Sequence, residues 1–254
     1  MRTILVFLTI LIATPIIGLS VIIASLFGVK DREGSIYDGA PRLWATLLVR
    51  AAGVRIRLHN EHLMRSGEPR IFVSNHVSWF DVLTLASVLP RYKFVGKAEL
   101  FKLPIFGRAA RAAGMIAIER ENRKAAFESY RVAADRIRAG ASVVVFPEGT
   151  RGETYALRAF KKGPFVLAVA AGVPIVPTIV HGTLDVMPRK GFRVRSGIVD
   201  IHFLEPIDAS GLTYEDRNRL SRAAWDRMAA GMKELYGVES PAPAAKPREN
   251  AAAD

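Results

Sequence analysis

Between Arg2 and Lys30 the chain runs for 27 residues without a charge, TILVFLTILIATPIIGLSVIIASLFGV. A bilayer core takes ~20 apolar residues as a helix, so the run predicts a membrane-anchoring helical segment over residues 1–30. A secretory leader is the rival reading. Its apolar region is usually only ~7–15 residues long, and Ala24-Ser25 is a weak candidate for its cleavage site. Pro15 and Gly18 fall mid-run, where they could kink the helix or turn it back within one leaflet. Arg2 favours a cytosolic start, whereas VKDREGS and the basic remainder favour a cytosolic domain. A kinked anchor in one leaflet satisfies both.

Residues 31–53 predict a polar link (Asp31 to Pro41) and a helix, RLWATLLVRAAG, with Leu43, Leu47 and Leu48 at helical spacing and Gly53 to end it. Arg42 and Arg50 make it amphipathic, suited to a membrane surface or to ordinary packing. Strand and helix patterns then alternate. VRIRLH alternates apolar and basic, as a half-buried strand does, and RIFVSN reads as a buried strand. DVLTLASVLP is helical to Pro90, KFVGK a short strand, PIFGRAARAAG a helix ending at Gly114, and MIAIER a strand. NRKAAFESYRVAADRIRAG puts Phe127, Tyr130, Ala134 and Ile137 on one helical face with Gly140 as C-cap. SVVVFP and VPIVPTIV read as buried strands around a helix, GPFVLAVAAG, with Pro164 at its start and Gly172 at its end. RVRSGIVDIHFL predicts a hairpin about Ser196-Gly197. A long helix opens at Thr213 with Asp216 in capping-box spacing, and the Pro/Ala-rich residues 239–254 predict a disordered tail. The expectation is a single α/β domain over residues 54–238, with a mixed, largely parallel sheet flanked by helices, carried behind the anchor.

Composition narrows the chemistry. There is no cysteine, which excludes disulfides, thiolate metal sites and a cysteine nucleophile. The net charge of +12 and a pI near 10.3 ask for an anionic partner. Nucleic acid, an acidic membrane and phosphorylated substrates all answer that description. The apolar run turns the choice to membrane lipids rather than nucleic acid, with the inner or plasma membrane as the site and the domain on the cytosolic side. Between Arg91 and Arg138 twelve Lys/Arg stand against five Asp/Glu, a belt suited to headgroups or a polyphosphorylated cofactor.

In open α/β sheets reactive groups gather beyond the carboxyl ends of strands, and three strand ends here are chemically loaded. One leads into Ser74-Asn75-His76, one into Glu119-Arg120, and one into Pro147-Glu148-Gly149-Thr150-Arg151. A five-residue step on one helix turns ~500°, so His76 and Asp81 meet only if His76 lies in the turn and Asp81 near the next helix start. There the carboxylate would fix the imidazole tautomer and free the other nitrogen as a base. By itself a His-x₄-Asp spacing is a weak signal, more often structural than catalytic. No G-x-S-x-G elbow occurs, so a base here would deprotonate a hydroxyl of the substrate. Arg151 offers the rigid fork that suits phosphate, and Lys161 and Lys162 precede a helix start. Lys97 also stands at a strand exit. His59 and His62 have no third ligand nearby in sequence, so no metal site is expected.

NHVSWFD, GMIAIER, FPEGTRG and VPIVP, in this order, resemble the four blocks of the glycerolipid acyltransferase family, of the 1-acyl-sn-glycerol-3-phosphate type. The resemblance runs from about Val54 to Pro206. It implies that His76 and Asp81 are catalytic and that Arg120, Glu148, Gly149, Thr150 and Arg151 bind the acceptor, with Asn75 and Lys97 beside them. The block at Val173 to Pro177 is linked to the acyl donor or to packing. The implied reaction moves a fatty acyl group from acyl-CoA or acyl carrier protein to the sn-2 hydroxyl of 1-acyl-sn-glycerol-3-phosphate, giving phosphatidic acid. Another lyso-lipid, such as lyso-ornithine lipid, is the alternative acceptor. No cofactor is implied, since a thioester is already activated. Backbone N–H groups of the Asn75–Ser78 turn, or Lys97, would stabilise the oxyanion, and Trp79 and Phe80 either line the acyl chain's path or pack the core. Ala117 and Gly152 depart from the residues common at those block positions, which bears on acceptor specificity.

Overall fold

A computed structural model describes residues 1–65, 67–118 and 123–243, with the backbone alone at 123–128. Helices α1 (Arg2–Leu26) and α2 (Ile36–Ala52) come first. There follow β1 (Val54–His59), β2 (Ile71–Ser74), α3 (Trp79–Val88), β3 (Tyr92–Lys97), α4 (Phe106–Ala112), β4 (Ile116–Ile118) and α5 (Arg123–Arg138). The chain continues through β5 (Ser142–Val145), α6 (Gly163–Ala171), β6 (Ile175–His181), α7 (Thr183–Val186), β7 (Gly197–Phe203) and α8 (Arg217–Tyr236). The strands form one sheet in the order β1-β7-β6-β2-β5-β3-β4. Every pairing is parallel except β6 with β7, so the mixed, largely parallel sheet expected from the alternation is present.

Side-chain alternation on β2 divides the core. Phe72 packs with Leu48, Phe80, Leu85 and Val176 on the face that α2 and α3 cover. Ile71 and Val73 pack with Ala134, Phe165, Ala168 and Trp225 on the face that α5, α6 and α8 cover. Burial on both faces is why these strands read as unbroken apolar runs.

Two boundaries and one element differ from the sequence expectation. Helix α2 begins at Ile36, inside the expected link, and Gly53 ends it in the left-handed region at φ 71°. Helix α3 starts at Trp79 because Ser78 caps it. The hairpin about Ser196-Gly197 is not formed. The two edges of β7 are taken by β1 and β6, which leaves no edge for Arg193–Arg195. That segment instead bonds outward, with Val194 N–H donating to Thr3 Oγ1 and Arg195 N–H to the Val186 carbonyl. Thr213 and Asp216 do form a reciprocal capping box. In the expected tail, Ser240 Oγ accepts a bond from Leu157 N–H, and residues 244–254 lie outside the described residues.

Helix α1 runs through Pro15 and Gly18 without turning back. It is long and apolar enough to cross a membrane, yet one stripe of it, Val6, Ala13, Gly18 and Val21, is buried against the domain. Gly18 is the notch in that contact, because a Cβ there would meet Ile105 Cγ2 at 2.7 Å. Trp44 Nε1 donates to Thr14 Oγ1 at 3.0 Å, midway along the helix. Many of the remaining positions, among them Ile4, Phe7, Leu8, Leu11, Ile12 and Ile16, are exposed.

Candidate active site

His76 follows β2 in the turn before α3, and Asp81 is the third residue of that helix. Ser78 and Asp81 form a capping box, a local device that needs this spacing. The same box delivers the carboxylate to the imidazole. His76 Nδ1 lies 2.9 Å from Asp81 Oδ2, which also accepts from Val77 N–H at 2.6 Å and Ser78 N–H at 2.7 Å. Asp81 Oδ1 accepts from Thr183 Oγ1 at 2.5 Å. Asp81 and Thr183 are both fully buried. An acceptor at Nδ1 places the ring proton there and leaves Nε2 with a free lone pair.

The turn of residues 147–152 holds His76 from below. Glu148 Oε1 accepts from His76 N–H at 2.9 Å, and Gly152 N–H donates to the His76 carbonyl at 2.7 Å. Glu148 Oε2 accepts from Arg158 Nε at 3.1 Å. Burial pushes the Glu148 carboxyl up, while the His76 N–H and Arg158 pull it back down. Gly149 sits at φ 78°, where a Cβ would also strike the Lys161 side chain at 2.7 Å, so this tight turn requires glycine. Phe146 stacks on the His76 ring at 4.2 Å between centroids.

Beside the imidazole opens a cavity of about 610 Å³, lined almost wholly by apolar side chains. His76, Lys97, Gly149, Thr150 and Arg151 line one part, and Trp79, Phe94, Phe101 and Phe106 line others, with α1 closing a side through Ile10, Ile17 and Val21. Both Trp79 and Phe80 line it, while Phe80 is at the same time part of the core.

The expected binding residues divide. Arg151 lines the cavity, stacks over Trp79 at 5.1 Å and reaches the Arg189 carbonyl at 3.5 Å. Among the described residues it has no carboxylate partner. Burial and then Arg189 lower its pKa, but a guanidinium stays charged across the physiological range. Thr150 and Gly149 contribute cavity wall. Lys97 lies at the same cavity, half-exposed and 3.2 Å from Glu99. Two of the expected binding residues make their hydrogen bonds within the fold. Asn75 bonds the Val180 backbone with both ends of its amide, at 2.9 and 2.8 Å, so it clamps the turn to β6. Glu148 is occupied by His76 and Arg158, so it supports the turn. The His76, Val77 and Ser78 N–H groups donate to Glu148 and Asp81. Arg120 and Glu119 lie outside the described residues. Thr183 was missed, because it stands 102 positions from Asp81 and nothing local marks it.

One cluster among the described residues has metal-like spacing, His59, Asp200 and His202, with ligand atoms within 4.8 Å of one another. The parallel register sets Arg57 opposite Asp200 and His59 opposite His202. Arg57 bonds both Asp200 oxygens, at 2.8 and 2.6 Å. The imidazoles stack at 4.0 Å with a 7° interplanar angle, so their in-plane lone pairs run parallel and do not converge on one ion. The cluster fits an ion-pair network better than a metal site.

A family model described as acyltransferase matches residues 55–181. The chain is 35% identical over 167 residues to the 1-acyl-sn-glycerol-3-phosphate acyltransferase of Haemophilus influenzae, covering 65% of this chain and 69% of that one. It is likewise 35% identical over 167 residues to a chloroplastic 1-acyl-sn-glycerol-3-phosphate acyltransferase of Brassica napus, covering 64% of this chain and 48% of the relative. The match thus spans about half the length of the chloroplast protein. The crystal structure of the 1-acyl-sn-glycerophosphate acyltransferase PlsC from Thermotoga maritima superposes with a TM-score of 0.75 at 24% identity, over 95% of this chain and 100% of that one. A helix-flanked α/β sheet with a His–Asp pair at the end of a central strand defines the class of site, and the chain belongs to the acyltransferase family.

Proposed function

We propose that the protein transfers a fatty acyl group from a thioester donor to the free hydroxyl of 1-acyl-sn-glycerol-3-phosphate, giving phosphatidic acid. The observation that carries this reading is the His76–Asp81 pair opening onto an apolar cavity that Arg151 also lines. His76 Nε2 takes the hydroxyl proton as the alcohol oxygen attacks the thioester carbonyl. The tetrahedral oxyanion then collapses, the C–S bond breaks, and the imidazolium returns its proton to the leaving sulfur. Asp81 holds the tautomer and stabilises the imidazolium. Of the oxyanion donors expected, Lys97 is the one whose donors remain at the cavity. Arg151 takes the acceptor phosphate through its fork, and the cavity takes acyl chain.

Helix α1 supports a membrane setting. Its docked stripe runs from the Thr3 contact to Val21, some 18 residues or ~27 Å at 1.5 Å per residue. A helix held along its length by the domain lies on the domain's flank, so its exposed apolar face enters one leaflet. The domain then sits at the cytosolic face, where the thioester donors are.

The test uses the purified full-length protein in vesicles with radiolabelled acyl-CoA and, separately, acyl carrier protein thioester. The reading expects label in phosphatidic acid from 1-acyl-sn-glycerol-3-phosphate with at least one donor. Label in lyso-ornithine lipid alone would move the assignment to the other acceptor. Label in neither would reject it.

A further inference from the structure

The segment between α7 and β7, PRKGFRVR (residues 188–195), carries four cations and no acid. At its tip Phe192 is 91% exposed, among the most exposed large apolar side chains of the described residues. A lone exposed aromatic needs no explanation; this one has neighbours that give it one. Arg193 and Arg195 follow it, both exposed, and Arg189 and Lys190 before it share Glu153, at 3.7 and 2.8 Å, so cations outnumber the acid. Val194, two residues on, is buried and donates its N–H to Thr3 Oγ1, which ties the tip to the first turn of α1. There Met1, Ile4, Leu5 and Phe7 are exposed. Finally, Met187 and Val194 line the same cavity as His76 and Arg151, so the segment's base is cavity wall.

We propose that residues 188–195 form a second membrane contact. Phe192 seats among the acyl carbons nearest the headgroups while Arg193 and Arg195 bind anionic headgroups. An aromatic between basic residues is the composition that favours the interface of an acidic leaflet. The tip is tied to the first turn of α1 through Val194 and Thr3, so the second contact adjoins the first. The cavity wall beside them then stands at the bilayer surface, where a lyso-lipid can pass from leaflet to site without crossing water. This placement deepens the proposed acyl transfer, but its physical test does not depend on activity.

The chain has no cysteine, so Phe192→Cys gives a single site for an environment-sensitive fluorophore, and Asp226→Cys on the exposed side of α8 gives its control. Both are reconstituted in vesicles of phosphatidylcholine with phosphatidylglycerol. The probe at 192 is expected to shift to the blue and to be quenched by lipids brominated near the headgroup, while the probe at 226 stays water-like. Adding Arg193→Gln and Arg195→Gln is expected to weaken that quenching, as is replacing phosphatidylglycerol by phosphatidylcholine. Water-like emission at both positions, with vesicle co-sedimentation intact, overturns the proposal. In a Phe192→Ser variant, transfer to vesicle-borne acceptor is expected to fall by roughly tenfold, about what losing half the burial of one Phe would cause. Transfer to a monomeric short-chain acceptor should not change. An equal loss on both acceptors would mean that Phe192 acts on the site and not on the membrane.

Discussion

Asp81 accepts four hydrogen bonds, and the three from His76, Val77 and Ser78 are local. Their geometry was legible in the sequence because a turn and a helix start dictate it. The fourth, from Thr183, comes from across the sheet and has no sequence signature. Thr183→Val strands a carboxylate oxygen in a fully buried place, which costs about 1–3 kcal/mol. We expect a lower melting temperature and, because the imidazole loses its fixed partner, a fall in kcat larger than any change in KM. Thr183→Ser should restore both, which a merely space-filling role would not predict. Asn75 is a second case: its place beside the histidine invited a binding role, while nothing local marked the bonds of its amide to the Val180 backbone. At Arg151 the charge without a carboxylate partner predicts that Arg151→Lys raises KM for the phosphate acceptor, with little effect on KM for the donor. Replacing a planar fork by a point charge loses the bidentate contact. Steady-state kinetics with each substrate varied in turn will show it.

Elements were legible where an apolar period or a cap announced them, and illegible where long-range pairing decided. The strand-helix alternation, the end of α2 and the Thr213 capping box followed from local chemistry. The hairpin failed because an antiparallel β6–β7 pairing and a parallel β1–β7 pairing claimed both edges of one strand, and neither is written in the residues around Ser196. The β1–β7 pairing also makes the network of Arg57, His59, Asp200 and His202. Burial, then the neighbouring His59, push His202 down to about 4. Its folded-state value lies below its ordinary one, so the unfolded chain binds the extra proton between about pH 6.5 and 4 and stability falls as pH falls through that window. Burial moves His181 the same way. The cost is on the order of 2 kcal/mol for His202, measurable by denaturant melts at pH 7 and 4.5. A His202→Asn variant should show a shallower pH dependence.

At the scale of the whole molecule, α1 and α2 complete the cavity and are fixed to the sheet by charge as well as by packing. Lys93, fully buried on β3, lies 3.1 Å from Asp31 and 3.6 Å from Asp38, and Arg91 joins both acids. Removing Lys93 leaves the two acids to Arg91 and empties a fully buried site, and truncating a long buried side chain costs about 2–5 kcal/mol. Lys93→Ala is therefore expected to lower stability by that order and to loosen α1–α2, read as faster hydrogen exchange across residues 31–45. The cavity itself could not be read from the sequence, because it exists only where these helices meet α3, α4 and β3. The chemistry depends above all on the His76 imidazole acting as the base, and one comparison tests that most directly. Acyl transfer by His76→Ala is measured beside the unaltered protein, both shown to be folded and vesicle-bound. A positioned base contributes ~10²–10⁴ in rate, so the account predicts a loss of at least that size. Transfer within a few fold of the unaltered protein would contradict it.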